Sequence, residues 1–84
     1  MLDDVDDMGA AVGSAAFVVV HAGQGCAMLT RLLVPRARYD EAVEAVAATM
    51  AVLPYGDPLD PGNLQGPQIS AKQRARVLGY IDKG

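Results

Sequence analysis

The chain has 84 residues, of which 51% are hydrophobic, and a formal net charge of −3. The hydrophobic content excludes a disordered chain, and a length below about 150 residues allows one domain or a part of one. Seven basic residues spread along an acidic chain argue against nucleic-acid binding, which depends on clustered Lys and Arg. The longest apolar stretch, residues 15–20, is too short to cross a bilayer. With one cysteine and no secretory leader pattern, the sequence predicts a cytoplasmic protein without a membrane partner.

The first predicted element is an amphipathic helix over residues 5–19. Apolar residues recur there at steps of three and four, which is the period of a helix. Acids at the start of this segment suit the positive end of the helix dipole; they are Asp3, Asp4, Asp6 and Asp7. The β-branched run at residues 17–20 leaves open a strand at the end of the segment, and Gly23 is the predicted stop.

A strand is predicted at residues 30–34, closed by Pro35. Its adjacent apolar residues indicate burial on both faces, as in parallel sheets. A second helix follows over residues 40–52, and residues 54–69 hold four of the five prolines and read as a long ordered loop or a linker. Ser70 begins a third helix, because its spacing to Gln73 is that of a capping box.

The predicted fold class is therefore α/β: helix, cysteine loop, strand, helix, Pro/Gly-rich loop, helix. A single strand cannot satisfy its own backbone N–H and C=O groups. We therefore expect the neighbouring strands of the sheet to lie outside these 84 residues.

Cys26 is ambiguous when it is judged from composition alone. A lone cysteine is most often a small buried hydrophobic residue. Residues 22–26, AGQGC, place this one beside glycines and not in an apolar run. Closely spaced glycines let the backbone approach a ligand, and exposed backbone N–H groups can bind an oxyanion.

The loop at residues 22–26, with Arg31 after it, resembles the cysteine signature of the aldehyde dehydrogenase superfamily. That signature is a Gly-Gln-any-Cys loop with an Arg five residues later that leads into a strand. The flanks resemble family motifs in the same order, so the resemblance covers nearly the whole chain. These motifs are the acidic start at residues 2–7, YDE at 39–41, GDP at 56–58, QGPQI at 65–69 and LGYI at 78–81.

The resemblance implies a mechanism in which Cys26 attacks an aldehyde carbonyl as a thiolate. The oxyanion is then held by the backbone N–H of Cys26 and by an Asn side chain. Hydride passes to the nicotinamide of NAD or NADP, and water activated by a Glu hydrolyses the thioester. In the family, the residues that match Gln73 and Arg76 lie near the nicotinamide ribose. The alternative, given equal weight, is that Gln73 caps the third helix and Arg76 is solvated surface.

Other polar residues of the loop are predicted to be structural. His21 and Gln24 are expected to shape the turn, and Arg31 to anchor the loop to neighbouring backbone. The acidic run at residues 3–7 lacks the Gly turn and closing Glu of a calcium loop, so no metal site is predicted.

This resemblance implies that residues 1–84 are part of a catalytic domain. It also implies that they include neither the nucleotide-binding domain, nor the Asn that holds the oxyanion, nor the Glu general base. We therefore expect the isolated chain to be inactive, and the complete enzyme to bind an aldehyde and form a homo-oligomer. The leading alternative is a non-catalytic remnant that docks on a partner or a full-length relative through exposed apolar residues at 32–34. A small helical binding module with an inert cysteine has the least support.

Overall fold

The computed structural model describes residue 1 and residues 4–84. Helix α1 spans Met8–Ala16, α2 spans Tyr39–Ala51 and α3 spans Ala71–Ile81. Two 3₁₀ helices precede the cysteine loop and α2, at Phe17–Gly23 and Arg36–Arg38 respectively. Within the described ranges, no helix is long and apolar enough to pass through a bilayer.

Helix α1 begins later than predicted because an aspartate caps it. The Asp7 side chain accepts a hydrogen bond from the backbone N–H of Ala10 at 3.0 Å, so Asp7 is the N-cap and the first turn contains no acid. The prediction of a first turn rich in acids is therefore wrong for Asp4 and Asp6, which precede the helix; Asp3 lies outside the described residues. The α-helix ends at Ala16 and continues as a 3₁₀ helix, not as a strand.

The core lies where α1 packs on α2. Met8 and Val12 are one turn apart on α1, and they contact Ala42 of α2. These three residues are 7%, 0% and 2% exposed, and among the described hydrophobic residues only Ala16 is equally buried. A core of this size leaves most of the apolar surface of the chain in solvent.

Residues 30–34 have no regular secondary structure and do not form the predicted strand. Leu32 and Val34 pack against the core, whereas Leu33 between them is 72% exposed. That alternation is the side-chain pattern of an extended backbone with one covered face, so the predicted burial on both faces is wrong. The described residues supply no neighbouring strand to complete a ladder, and the α/β prediction is therefore not met in this chain, which is helical.

The second half of the chain is an ordered loop followed by α3. In the loop, the backbone N–H of Gly56 donates to the carbonyl of Gln65 at 3.0 Å. Ser70 caps α3 as predicted, since its Oγ accepts from the backbone N–H of Gln73 at 3.2 Å. Helix α3 has no buried residue, and Val77 on its apolar side is 41% exposed. The part of α3 that faces the protein is therefore directed toward loops and not toward the α1–α2 core.

Arg38 joins the segment before α1 to the start of α2. Its guanidinium donates to the carbonyl of Val5 and forms two hydrogen bonds of 2.9 Å with the Glu41 carboxylate. These hydrogen bonds lower the pKa of Glu41 and raise the pKa of Arg38. Because Arg38 contacts both segments, we infer that it helps to fix α1 against α2.

We expect the Arg38–Glu41 pair to stabilise the chain at neutral pH and to lose this effect in acid. The folded pKa of Glu41 is lowered, so its contribution is present above the unfolded pKa of about 4.3 and is lost as pH falls through the folded value. The raised pKa of Arg38 has no effect over this range, since Arg stays protonated. Melting temperatures of Glu41→Gln and of the exposed control Glu44→Gln should differ near neutral pH and converge in acid. Equal melting temperatures at neutral pH would contradict this prediction.

Candidate functional site

The chain reaches the cysteine loop through three consecutive residues in the left-handed conformation. The φ angles of His21, Ala22 and Gly23 are 53°, 55° and 74°. For residues with a Cβ this conformation costs about 1–2 kcal/mol each, whereas glycine adopts it freely. A strained turn of this kind persists only where its surroundings hold it in place.

Hydrogen bonds from two glutamines hold this turn. The backbone N–H and the side-chain Nε2 of Gln24 both donate to the carbonyl of His21, at 3.2 and 3.1 Å. From the other side, Nε2 of Gln68 donates to the carbonyl of Ala22 at 3.4 Å. The predicted shaping of the turn by Gln24 agrees with this geometry, whereas His21 contributes its backbone carbonyl and no hydrogen bond of its side chain to the described residues is found.

Cys26 follows in a second turn and its side chain is exposed. The Met28 side chain lies against Gly25. A Cβ added at Gly25 would collide with the flexible end of that methionine. Among the described residues, no acceptor is recorded for the backbone N–H of Cys26. Cys26 thus presents an exposed thiol next to a backbone donor that no described residue engages, which is the pair of groups that stabilised carbonyl addition uses.

Two grooves border the turn. One, of about 390 Å³, lies between the turn and the proline-rich loop and is lined by His21, Ala22, Gln24, Pro58, Gly66, Pro67, Gln68 and Ile69. The other, of about 520 Å³, separates the turn from α3 and is lined by Val18, Val19, Ala22, Gly23, Gln65, Gln68, Val77 and Ile81. Ala22 and Gln68 line both grooves, so their contact divides them.

The sequence profile of the aldehyde dehydrogenase family matches residues 1–84. The chain belongs to the aldehyde dehydrogenase family. A crystal structure of a Mycobacterium tuberculosis aldehyde dehydrogenase complexed with NAD⁺ superimposes on 99% of this chain with a TM-score of 0.86 and 52% sequence identity, over 17% of that enzyme.

Curated relatives agree with this membership. A protein of Staphylococcus haemolyticus named as an aldehyde dehydrogenase is 39% identical over 84 residues, which is 100% of this chain and 18% of the relative. The geranial dehydrogenase of Castellaniella defragrans is 42% identical over 66 residues, or 79% of this chain and 14% of that enzyme. The chain thus spans less than a fifth of the length of these aldehyde dehydrogenases.

In this aldehyde dehydrogenase segment, the two predicted cofactor-binding residues lie on the exposed surface of α3. Gln73 is one turn before Val77, which lines the groove beside the cysteine loop, and Arg76 is adjacent to Val77 in sequence. The grooves beside the turn are lined by other residues than Cys26, Gln73 and Arg76, so they do not unite the three. The Ser70 side chain accepts from the backbone N–H of Gln73, and no hydrogen bond from the Gln73 side chain back to the Ser70 backbone is found among the described residues. Capping therefore does not account for the Gln73 amide.

Two findings on this aldehyde dehydrogenase loop differ from the sequence analysis. Arg31 is exposed, and no hydrogen bond or ion pair from it to the described residues is recorded, so its predicted anchoring role is not seen. Gln68 does bond to the loop, although no sequence motif marks it as part of the site. It lies 46 positions from Ala22, and no local pattern signals a contact over that separation.

We expect Gly23→Ala to destabilise the cysteine loop by about 1 kcal/mol, because its φ of 74° is unfavourable for a residue with a Cβ. Gly13→Ala is the matched control, since Gly13 lies within α1 and a Cβ there meets no atom within 4 Å. That change should be neutral or stabilising. Chemical denaturation of both variants measures the two effects. Equal stability of the two variants would rule out the left-handed turn.

Proposed function

We propose that this chain is the cysteine-bearing segment of an NAD(P)-dependent aldehyde dehydrogenase, which oxidises an aldehyde to a carboxylic acid. One observation carries the proposal: shortly after a strained turn, Cys26 combines an exposed thiol with a backbone N–H that has no acceptor among the described residues. Its membership of the aldehyde dehydrogenase family supports the same chemistry.

Cys26 has two roles in the proposed reaction. Its thiolate adds to the aldehyde carbonyl, and its backbone N–H donates to the oxygen that becomes negative. Loss of hydride from the carbon of this thiohemiacetal gives a thioester. Water then hydrolyses the thioester, releases the acid and returns the thiolate.

The bound dinucleotide supplies the hydride acceptor for this reaction. Gln73 and Arg76 fit the task of holding it, because an amide and a guanidinium both donate hydrogen bonds and both side chains project from the exposed surface of α3. The M. tuberculosis relative was solved with NAD⁺, which supports a dinucleotide here. The dinucleotide is NAD or NADP, since no residue of this segment is assigned to the distinction.

A chimera tests this function. The 84 residues would replace the matched 17% of the M. tuberculosis enzyme, to which they are 52% identical. We expect the purified chimera to form NADH from NAD⁺ and an aldehyde. The unmodified M. tuberculosis enzyme, purified in the same way, is the positive control. A folded chimera that binds NAD⁺ without oxidising any aldehyde of a short aliphatic, long aliphatic and aromatic series would contradict the proposal.

We expect the isolated 84-residue chain to form no NAD(P)H from an aldehyde. By family resemblance, the Asn donor, the Glu base and the nucleotide-binding domain are not among its residues. Loss of one oxyanion donor alone costs about 10²–10³ in rate. Absorbance at 340 nm, with the chimera as positive control, measures the activity. Turnover by the isolated chain that disappears after iodoacetamide treatment would refute this expectation.

A second candidate function is a non-catalytic remnant that docks on a partner or a full-length relative. An apolar groove of about 420 Å³ along α2 favours it, together with the exposure of Leu33. Under this alternative the chimera is inactive although it folds, and the isolated chain co-elutes with the M. tuberculosis enzyme in gel filtration. For the complete enzyme we propose a cytoplasmic location, which fits the lone thiol, and no nucleic-acid or membrane partner, which fits the acidic charge. We also propose that it forms a homo-oligomer, as the family resemblance implies.

A further inference from the structure

We propose that Gln68 is a positioning residue for the cysteine loop. Its side chain holds the carbonyl of Ala22, and through it the left-handed turn from which Cys26 is presented. This inference rests on the proposed function, because the turn matters for catalysis only if Cys26 is the nucleophile.

The hydrogen bonding of Ala22 supports this role. Nearby residues already stabilise its two neighbours in the left-handed conformation. Gln24 donates two hydrogen bonds to the carbonyl of His21, and Gly23 adopts a positive φ without strain because it has no Cβ. Ala22 has a Cβ, a φ of 55° and a half-buried position. Among the described residues, Nε2 of Gln68 is the one donor recorded for its carbonyl, at the long end of the hydrogen-bond range.

The place of Gln68 in the fold also supports this role. It follows Gly66 and Pro67 in the ordered loop, and it is half-buried. With Ala22 it lines both grooves beside the turn, and its hydrogen bond to Ala22 joins the proline-rich loop to the cysteine loop. A side chain placed between two loops can restrict one of them without touching the thiol itself. Gln68 therefore acts on Cys26 through the backbone of residues 22–25.

The experiment compares the full 84-residue chain with Gln68→Ala and with the control Gln65→Ala. Gln65 is a nearby amide whose side chain has no recorded hydrogen bond among the described residues and whose backbone bond to Gly56 survives the change. Amide exchange of Gln24 reports on the turn, and exchange in α2 reports on the rest of the fold. The intraresidue amide-to-Hα Overhauser effect of Ala22 reports its left-handed conformation directly.

We expect Gln68→Ala to accelerate exchange at Gln24 by about two- to tenfold, the effect of one lost hydrogen bond, and to weaken the Ala22 signal. Exchange in α2 should not change, and Gln65→Ala should match the parent. If both variants behave alike, or if α2 accelerates equally, Gln68 is not a positioning residue.

Gln68→Glu provides a rescue test. Its carboxylate cannot donate at neutral pH, so it should behave like Gln68→Ala there, and it should approach the parent at the same pH once acid below about pH 4.3 restores a donor. Of the side chains lining the two grooves, only His21 is ionisable, and it is common to all variants. Absence of recovery in acid would overturn the proposal. The chimera with native Gln68 tests the nucleophile separately: an inactive chimera that retains the turn counts against the proposed function and not against Gln68.

Discussion

Cys26→Ala in the chimera should lower aldehyde oxidation on the order of 10⁴-fold or more, the scale seen when a covalent nucleophile is removed. The reason is that the covalent route divides one difficult oxidation into addition, hydride loss and hydrolysis, and alanine offers no atom to add. The change removes a single exposed sulfur and leaves the backbone donor in place. Initial rates of NADH formation, measured with saturating aldehyde and NAD⁺, give the effect.

Two controls accompany this prediction. Cys26→Ser keeps a nucleophilic atom, but the hydroxyl is not ionised near neutral pH, so we expect its activity to stay close to that of the alanine variant. Thr30→Ala changes another exposed side chain close to the loop and should retain parent activity. NAD⁺ affinity should be similar in all variants. Retention of a hundredth or more of parent turnover by Cys26→Ala would show that the thiol is not the nucleophile.

The parts of the fold that local sequence determines could be predicted. The helical period brings Met8 and Val12 to one face, and both are buried on α2. The cap of α3 depends on residues three positions apart, and Ser70 forms it as expected. In each case the determining atoms lie within one helical turn, so the sequence alone contains the information.

The strand at residues 30–34 could not be judged in the same way. Alternation of covered and exposed side chains is a local property, and Leu32, Leu33 and Val34 show it. A strand is a property of pairs, because its ladder requires a second segment at hydrogen-bonding distance. The described residues provide none, so the α/β prediction depended on partner groups that local sequence cannot supply.

The candidate site also contains features that the sequence could predict and features that depend on the tertiary fold. The family resemblance indicated an exposed Cys26, against the burial that composition favours, and the thiol is exposed. The left-handed Ala22 had no signal, because alanine is an unusual residue for that conformation. Its bond to Gln68 joins two loops 46 positions apart, and such contacts follow from the tertiary fold.

Val12→Asp should abolish the packing of α1 on α2. Val12 is 0% exposed at the centre of the core, with Met8 and Ala42 against it. An uncompensated charge at a buried position costs about 3–5 kcal/mol, and a core in a chain of about 80 residues rarely supplies more than about 5 kcal/mol. The whole stabilisation of the helix pair is thus comparable with the effect of one substitution.

Ser14→Asp separates burial from the other effects of an aspartate. Ser14 lies on the same helix and is exposed, so the change carries the same charge and the same helix propensity without entering the core. We expect Val12→Asp to lose most of its far-ultraviolet helical signal and its melting transition, and Ser14→Asp to keep both. Val12→Ala should fall between them, with a loss of about 2 kcal/mol from the missing methyl groups. If Val12→Asp melts like the parent, the contact between α1 and α2 does not hold the chain together, and the cysteine loop must be held by its own turn and by Gln68.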